Sequence, residues 1–504
     1  MNSKTWTRII ALTLLTALMV TVPLAAQDNA KHNQPHQYHH YQIADPGTFG
    51  GPQSYQDLGT LGAVGDLNNQ GAFGGGADTP TVDPNCENPD CYAFHALLWQ
   101  NGTKTDLGIL PGGTNSFVNG ISANGLMTGT GDNGQPDPLI GIPFQVRGTY
   151  WGHDQAITDM GTLPDTYFSS PFAVNNRGEV VGAAMNTIPD ANSLWGIGYQ
   201  TRAFYWKNGV MQDLGTLGTG TDAIAGMINQ RGQVVGNSYI SAIPSAVCND
   251  NVAYYLLTTS AFIWDKKNGM KNLGSFGGTC TLASDLNNRG QVVGGSALPG
   301  DSIFHPFFWD AETGVTELGT PDGGYGGALA LNENGDVVGN GKDNSGVVHA
   351  LLWRNRGGKL RMTDLGTFAG GCPTGTSVNV SAQVVGFDSC NGLPFLSEDG
   401  APIVDLNTLV PPNSGLQLNE VGNINDRGEI SINGNDVNNN NHSVVLIPCD
   451  ENHPSVADCD YSLVDPATAA LSTPPRSTPN STQHPPRSRW GNRYHVPGLP
   501  STIR

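Results

Sequence analysis

A chain of 504 residues with 67 Gly, 33 Pro and only 13% charged residues has length enough for a large core but not the composition of a helical enzyme; many short strands joined by tight turns fit it better. The formal net charge is −19, and setting aside the first 26 residues (+2) and residues 460–504 (+3) leaves −24 on the body between them. A field of that sign repels phosphate backbones and anionic lipid, which excludes nucleic acid and membrane surfaces as partners and leaves cations, neutral glycans and basic proteins.

In chain order, residues 1–26 read as a secretory signal peptide: Lys4 and Arg8 precede an apolar run from Ile9 to Val22, followed by Leu24-Ala25-Ala26. The run is too short to span a bilayer, and no later segment is long and apolar enough to do so. A secreted, periplasmic or cell-envelope location follows, with a monomer expected. Residues 27–40 form a polar linker containing His32, His36, His39 and His40, a cluster that could chelate metal but whose polar setting just after the signal reads as a linker.

From residue 41 to about 450, three short patterns recur in fixed order. An Asp-Leu-Gly-Thr-Leu head begins at Asp57, Asp106, Asp159, Asp213, Asn272, Glu317, Asp364 and Asp405. An apolar residue followed by Asn-x-x-Gly and an apolar strand ending in Gly is clearest at Val174 to Gly182, Ile228 to Gly236, Leu286 to Gly294 and Leu331 to Gly339. A His-Ala-Leu-Leu-Trp type of run occupies His95 to Trp99, Ala203 to Trp206, Ala261 to Trp264, His305 to Trp309 and His349 to Trp353. Asn-x-x-Gly is turn chemistry that joins strand A to strand B, Val-Val-Gly is strand B, and the aromatic run is strand C. Turns such as Asn101-Gly102 and Asn208-Gly209 lead into strand D, which ends at the Asp-Leu-Gly head.

A four-stranded antiparallel unit of about 50 residues, repeated, is the blade of an all-β propeller. Seven units are complete; an eighth, around Asn425, lacks its outer strand after Ile447. Two N-terminal stretches, Tyr41 to Phe49 and Tyr55 to Leu61, resemble strand D and are expected to supply it, because closure protects the last edge. Eight blades are favoured, with seven as the alternative.

Taken together, these patterns resemble the HAF-repeat family of extracellular bacterial repeat proteins, named for a His-Ala-Phe tripeptide that stands here as His95-Ala96-Leu97, Arg202-Ala203-Phe204, Ser260-Ala261-Phe262 and His349-Ala350-Leu351. The resemblance covers residues 41–447 and implies export and a repeat scaffold; it assigns no activity, substrate or catalytic residue.

Eight cysteines in an exported chain point to disulfides, and sequence neighbours suggest Cys86–Cys91, Cys248–Cys280, Cys372–Cys390 and Cys449–Cys459. In a propeller running from A at the axis to D at the rim, B-to-C loops and D-to-A crossovers share one end. The first six cysteines fall there, beside loops that are long and dissimilar, and variable loops on a rigid frame are where binding concentrates. The repeated Asp, Trp and His read as structural, since a residue needed once per blade serves the blade.

Candidates for ligand contact are therefore the unrepeated loop residues. Trp195, Tyr199, Tyr254 and Tyr255 offer aromatic platforms for a glycan or a partner protein. Asp83, Glu87 and Asp90, with Asp132 and Asp137, are candidate calcium ligands, although solvated carboxylates are the plainer reading. Asp436-x-Asn438-x-Asn440 opens like a calcium loop but lacks its Gly and its late acidic ligand, and reads as an Asn-rich hairpin. No catalytic motif and no cofactor motif is present. The leading function is a secreted binding protein that engages a glycan or an extracellular protein. Its alternatives are a carbohydrate-active lyase or hydrolase with carboxylates and Arg147 converging at the axis, and an envelope structural protein. Residues 451–504 form a Cys-containing extension and a Pro/Ser/Thr/Arg-rich tail whose composition predicts disorder.

Overall fold

A computed structural model describes residues 37–56, 65–85, 91–251 and 255–465. The signal peptide, the first part of the His linker, the head at Asp57 and the tail beyond 465 lie outside them. The described chain forms eight four-stranded antiparallel sheets arranged as a β-propeller, so the seven-blade alternative is excluded.

Blade 3 shows how the repeat folds: strand A is Ser169–Val174, B is Val180–Pro189, C is Tyr199–Lys207 and D is Val210–Asp213, ordered A-B-C-D across the sheet. The A-to-B turn closes by Gly178 N donating to Asn175 O at 3.0 Å, and Gly178 has φ +67°. The C-to-D turn at Asn208-Gly209 has positive φ at both residues (51° and 81°), the geometry whose twist suits a two-residue hairpin. Strand A of blade 3 touches strand A of the blades on either side, which puts A at the axis and D at the rim.

Strand B does not end at the repeated glycine, as the pattern suggested. In blade 4 it runs through Gly236 to Pro244. Strand A bulges opposite this position in blades 2 to 7, between Ala225 and Met227 in blade 4, and the bulge drives a carbonyl against strand B. A Cβ on Gly236 would fall 1.9 Å from Ile224 O. The glycine of Val-Val-Gly therefore marks the bend of the neighbouring strand.

The ring closes with the N-terminus. Tyr41–Ala44 pairs with Val445–Pro448 as the outer strand of blade 8, and Tyr38 and Tyr41 are buried in a cluster with Leu406, Ile430 and Leu446. The second stretch proposed for this role is different. Ser54–Tyr55 pairs with Gly76 and Ala77 as part of the inner strand of blade 1, where Tyr55 enters the core.

Disulfides join Cys248 to Cys280, Cys372 to Cys390 and Cys449 to Cys459. Cys91 is also disulfide-bonded; Cys86 lies outside the described residues. No helix among the described residues is long and apolar enough to cross a membrane.

Candidate functional site

The two ends of the propeller are built on different principles. At the turn end the motif asparagine does more than shape its own hairpin. Asn175 Oδ1 accepts from Arg177 N (3.0 Å) and Glu179 N (3.2 Å), while its Nδ2 donates to Asn229 O of the next blade at 3.0 Å. Asn229 does the same to Asn287 O, Asn287 to Asn332 O, Asn332 to Asn379 O, Asn379 to Asn425 O, Asn425 to Asn68 O and Asn68 to Ser122 O, at 2.8–3.1 Å. The clasp passes across the closure between blades 8 and 1. Ser122 interrupts it: the hydroxyl accepts from Leu126 N within its own blade (2.9 Å), and the junction with blade 3 is instead made by Asn124 Nδ2 to Asn176 O at 3.0 Å.

The other two repeated patterns explain each other. The head Asp takes its own turn amide, as in Gly215 N to Asp213 Oδ1 at 2.8 Å, and its second oxygen pairs with the first residue of the His-Ala-Phe slot on strand C. The pairs are His95–Asp106 (2.8 Å), Arg147–Asp159 (3.1 Å), Arg202–Asp213 (2.9 Å), His305–Glu317 (2.6 Å) and His349–Asp364 (2.9 Å), with Ser260 to Asn272 (2.8 Å) as the neutral version. In blade 8 the partner comes from the other terminus: His442 pairs with Asp45 at 3.0 Å, and Gly47 N caps Asp45 as Gly215 N caps Asp213. Asp45-Pro46-Gly47 is thus a degenerate head, a sequence signal that fixes the closing strand. For Asp106, burial opposes ionisation, but the His95 hydrogen bond, the Gly108 amide and the His95 charge outweigh it and lower the carboxyl below its usual range. The repeated Trp is core: Trp206 Nε1 donates to Met160 O of the preceding blade, and its ring lies 5.3 Å from Tyr150.

At the loop end, strands B and C of blades 1, 3 and 4 extend beyond the ring as protruding hairpins. Phe73–Val82, Val180–Pro189 and Val234–Pro244 form the first arms. Much of what reads as loop in the sequence is therefore strand. A short helix, Ala246–Asn251, sits in the blade 4 connection, and Cys248–Cys280 ties that connection to the following crossover.

Few of the predicted contact residues are presented to solvent here. Trp195 packs edge-on against Phe168 and Phe172, with ring centroids 5.2 and 6.0 Å away, and it links two apolar clusters that seat the blade 2 and blade 3 loops on the ring. Tyr199 is half-buried against the first of them. Tyr255 is 1% exposed, its ring against Tyr239 and its hydroxyl accepting from Asn237 Nδ2. Tyr254, Glu87 and Asp90 lie outside the described residues. Asp83 is buried and accepts from Asn115 Nδ2 at 2.8 Å; Asp132 is buried and accepts from the amides of Thr114 and Asn115. Asp137 caps Leu139 N and Ile140 N. Burial raises both the Asp132 and the Asp137 carboxyl, against the amide hydrogen bonds that lower them. These carboxylates hold loop backbone in place, and among the described residues no group of three or more His, Cys, Asp or Glu is arranged to hold a metal. Arg147 does not converge on the axis: it lies on strand C of blade 2 with Nε 3.1 Å from both carboxylate oxygens of Asp159 on strand D. Asp436 accepts from Asn438 N and Asn440 N at 2.8 Å, as a self-capped hairpin turn does.

Three carboxyls that the pattern reading passed over stand out. Asp285, on the inner strand of blade 5, spans to blade 6 through Leu331 N (2.9 Å), and burial pushes it up to about 7. Glu420, at the bulge of the inner strand of blade 8, is pushed up to about 7 by burial, partly offset by a hydrogen bond from Asn433. Asp222 accepts from Leu194 N and Thr201 N, fastening the blade 3 hairpin to the next crossover, and burial raises it to about 6. Nothing in the repeat marks them: Asp222 and Glu420 occupy slots that are apolar, small or amide in sister blades, and Asp285 shares its slot only with Asp66 of blade 1.

No protein-family model and no curated protein matches the sequence. Among solved structures, the β-propeller domain of the Trilobed protease from Pyrococcus furiosus is similar with a TM-score of 0.35 and 10% identity, over 64% of this chain and 97% of that one. TolB from Acinetobacter baumannii gives 0.31 and 12%, over 58% and 64%, and a prolyl endopeptidase gives 0.40 and 10%, over 83% and 48%. The chain thus spans less than two thirds of the TolB and endopeptidase chains. Likenesses at these identities and scores carry no functional information.

Proposed function

We propose that the chain is an exported binding protein of the HAF-repeat kind, whose loop end engages an extracellular protein. One observation carries this reading: each of the three hairpins that stand out from the loop end carries an exposed large apolar side chain. Val82 (59% exposed), Ile188 (53%) and Ile243 (65%) sit near the ends of the strand B arms of the three protruding hairpins, with Leu256 beside the last. Apolar groups held out on braced hairpins are what a protein interface buries. Of the aromatic candidates among the described residues, Trp195 and Tyr255 pack inward and Tyr199 is half-buried, which favours protein over glycan. The three disulfides suit an oxidising location outside the cytoplasm.

A second reading, a carbohydrate-active enzyme with an axial site, is supported by the Glu420 carboxyl, whose raised pKa suits a general acid. A photo-cross-linking amino acid at Ile188 or Ile243, compared with Val210 on a turn-end hairpin (68% exposed), tests the binding reading in the secreting cell. Adducts at the two tips and none at Val210 are expected; equal labelling at both ends, or none at either, removes it. Loss of glycoside cleavage in Glu420→Gln is the result that would establish the enzyme instead.

A further inference from the structure

The charges of this propeller are sorted by end. Among the described residues the cations at or reaching toward the loop end are Lys104, Arg147, Arg202, Lys271 and Lys342. Arg147 and Arg202 are neutralised by Asp159 and Asp213, and the Lys104 Nζ is held by the Thr48 carbonyl. Counting the residue at the end of strand D, a carboxylate stands at every D-to-A junction except that of blade 4, which has Asn272, and Asp165, Glu317, Asp322 and Asp364 are exposed. At the turn end, Arg177, Arg231, Lys266, Lys267 and Arg427 stand among the acidic residues, so the two signs are mixed. The net negative charge of the body is therefore concentrated on the end that also presents Val82, Ile188 and Ile243.

That combination selects its occupant. A second copy of this chain would bring an equally acidic end, and like charges oppose the contact. Anionic lipid and nucleic acid are repelled for the same reason. A positively charged chain is steered toward the end and finds apolar tips on arrival, so charge sets the approach and burial sets the hold. Resting on the binding reading above, we propose that the partner of the loop end is a basic polypeptide segment that lays apolar side chains against the hairpin tips formed by Val82, Ile188 and Ile243.

Two labelled synthetic peptides test this by fluorescence anisotropy with the full oxidised chain: one alternating Lys and Leu, and one of equal length and charge alternating Lys and Ser. The Lys-Leu peptide should bind more tightly by roughly tenfold or more, since apolar area is buried in addition to charge, and its affinity should fall with added salt. The triple variant Val82→Asp, Ile188→Asp, Ile243→Asp makes the end more acidic while removing the apolar contacts, so the Lys-Leu advantage should vanish in it; the corresponding Ser variant checks the loss without added charge. Equal affinity for both peptides, or tighter Lys-Leu binding by the Asp variant, would overturn the proposal by reducing the attraction to charge alone. The cross-linking experiment separates the two levels: a neutral or acidic partner captured at Ile188 sinks the basic-segment assignment but leaves the binding reading standing, whereas no adduct at any tip removes both.

Discussion

The asparagine clasp makes a quantitative claim about what holds neighbouring blades in register, and Asn229 is the place to measure it. Its side chain makes four hydrogen bonds. Two accept from the amides of Arg231 and Gln233 at 3.0 Å, one donates to Gln233 Oε1 at 2.9 Å, and one donates to Asn287 O of the next blade at 3.0 Å. Asn229→Ala removes all four and strands two amides and a carbonyl, which at about 0.5–1.5 kcal/mol per bond predicts a loss of about 2–6 kcal/mol. Asn229→Asp separates the two roles, because a carboxylate still accepts from both amides yet cannot donate across the blade boundary and faces a carbonyl there. It should cost about 1–3 kcal/mol, most of it from the lost clasp. Asn229→Ser reproduces the arrangement that blade 2 already has at Ser122 and should fall between wild type and Ala. Urea unfolding monitored by tryptophan fluorescence, with unchanged m-values, gives the comparison. An Asn229→Asp protein within about 0.5 kcal/mol of wild type would show that the asparagine serves its own turn only, and the account of the ring as a circumferential clasp would be refuted.

Further outcomes follow from the buried carboxyls, the crosslinks and the closure. Asp285 and Glu420 both have folded pKa values raised to about 7. The folded state therefore binds protons more tightly than the unfolded chain, and their contribution is present in full below the ordinary carboxyl range and is lost as pH rises from about 4 through 7. Thermal midpoints across that window should show a falling component that flattens in Glu420→Gln; an unchanged slope would remove the assignment. Glu179 runs the other way. Burial opposes its charge, but hydrogen bonds from Arg177, Asn175 and Lys207 hold its pKa near 2, so its contribution is present above the ordinary Glu value and lost as pH falls toward 2. In Glu179→Gln the acid-side loss of stability should become shallower. Reducing Cys248–Cys280, which links residues 32 apart in sequence, should destabilise by roughly 3–4 kcal/mol on the chain-entropy model, read as a lowered thermal midpoint in Cys248→Ala, Cys280→Ala against wild type. Deleting residues through Ala44 should expose the edge of strand Asn441–Pro448 and take Tyr38 and Tyr41 out of the core. Size-exclusion chromatography should then show aggregation or edge-paired dimers, and a stable monomer would contradict the closure.

The sequence by itself determined the architecture, because the three patterns are local. Asn-x-x-Gly, Val-Val-Gly and the aromatic run each specify a turn or a strand within a few residues, and their repetition requires stacked four-stranded units. The count of eight and the completion of the last blade from Tyr41 were legible for the same reason, and so were three disulfides between sequence neighbours. What the patterns could not carry was why the repeated residues repeat. The clasp from Asn229 to Asn287 O joins two blades and exists only once they stack, while the pairing of His95 with Asp106 and the glycine opposite a bulge join residues of different strands and exist only once a blade has paired its strands. The same limit governed the candidate site. Trp195, Tyr255, Asp83 and Asp132 read as ligand-facing because the loops that bear them are irregular, yet those loops bury their aromatic and acidic side chains to fasten themselves to the ring. Exposure is a property of the tertiary structure, and it moved the candidate surface from the residues with the most distinctive chemistry to Val82, Ile188 and Ile243, whose side chains are ordinary and whose placement is not.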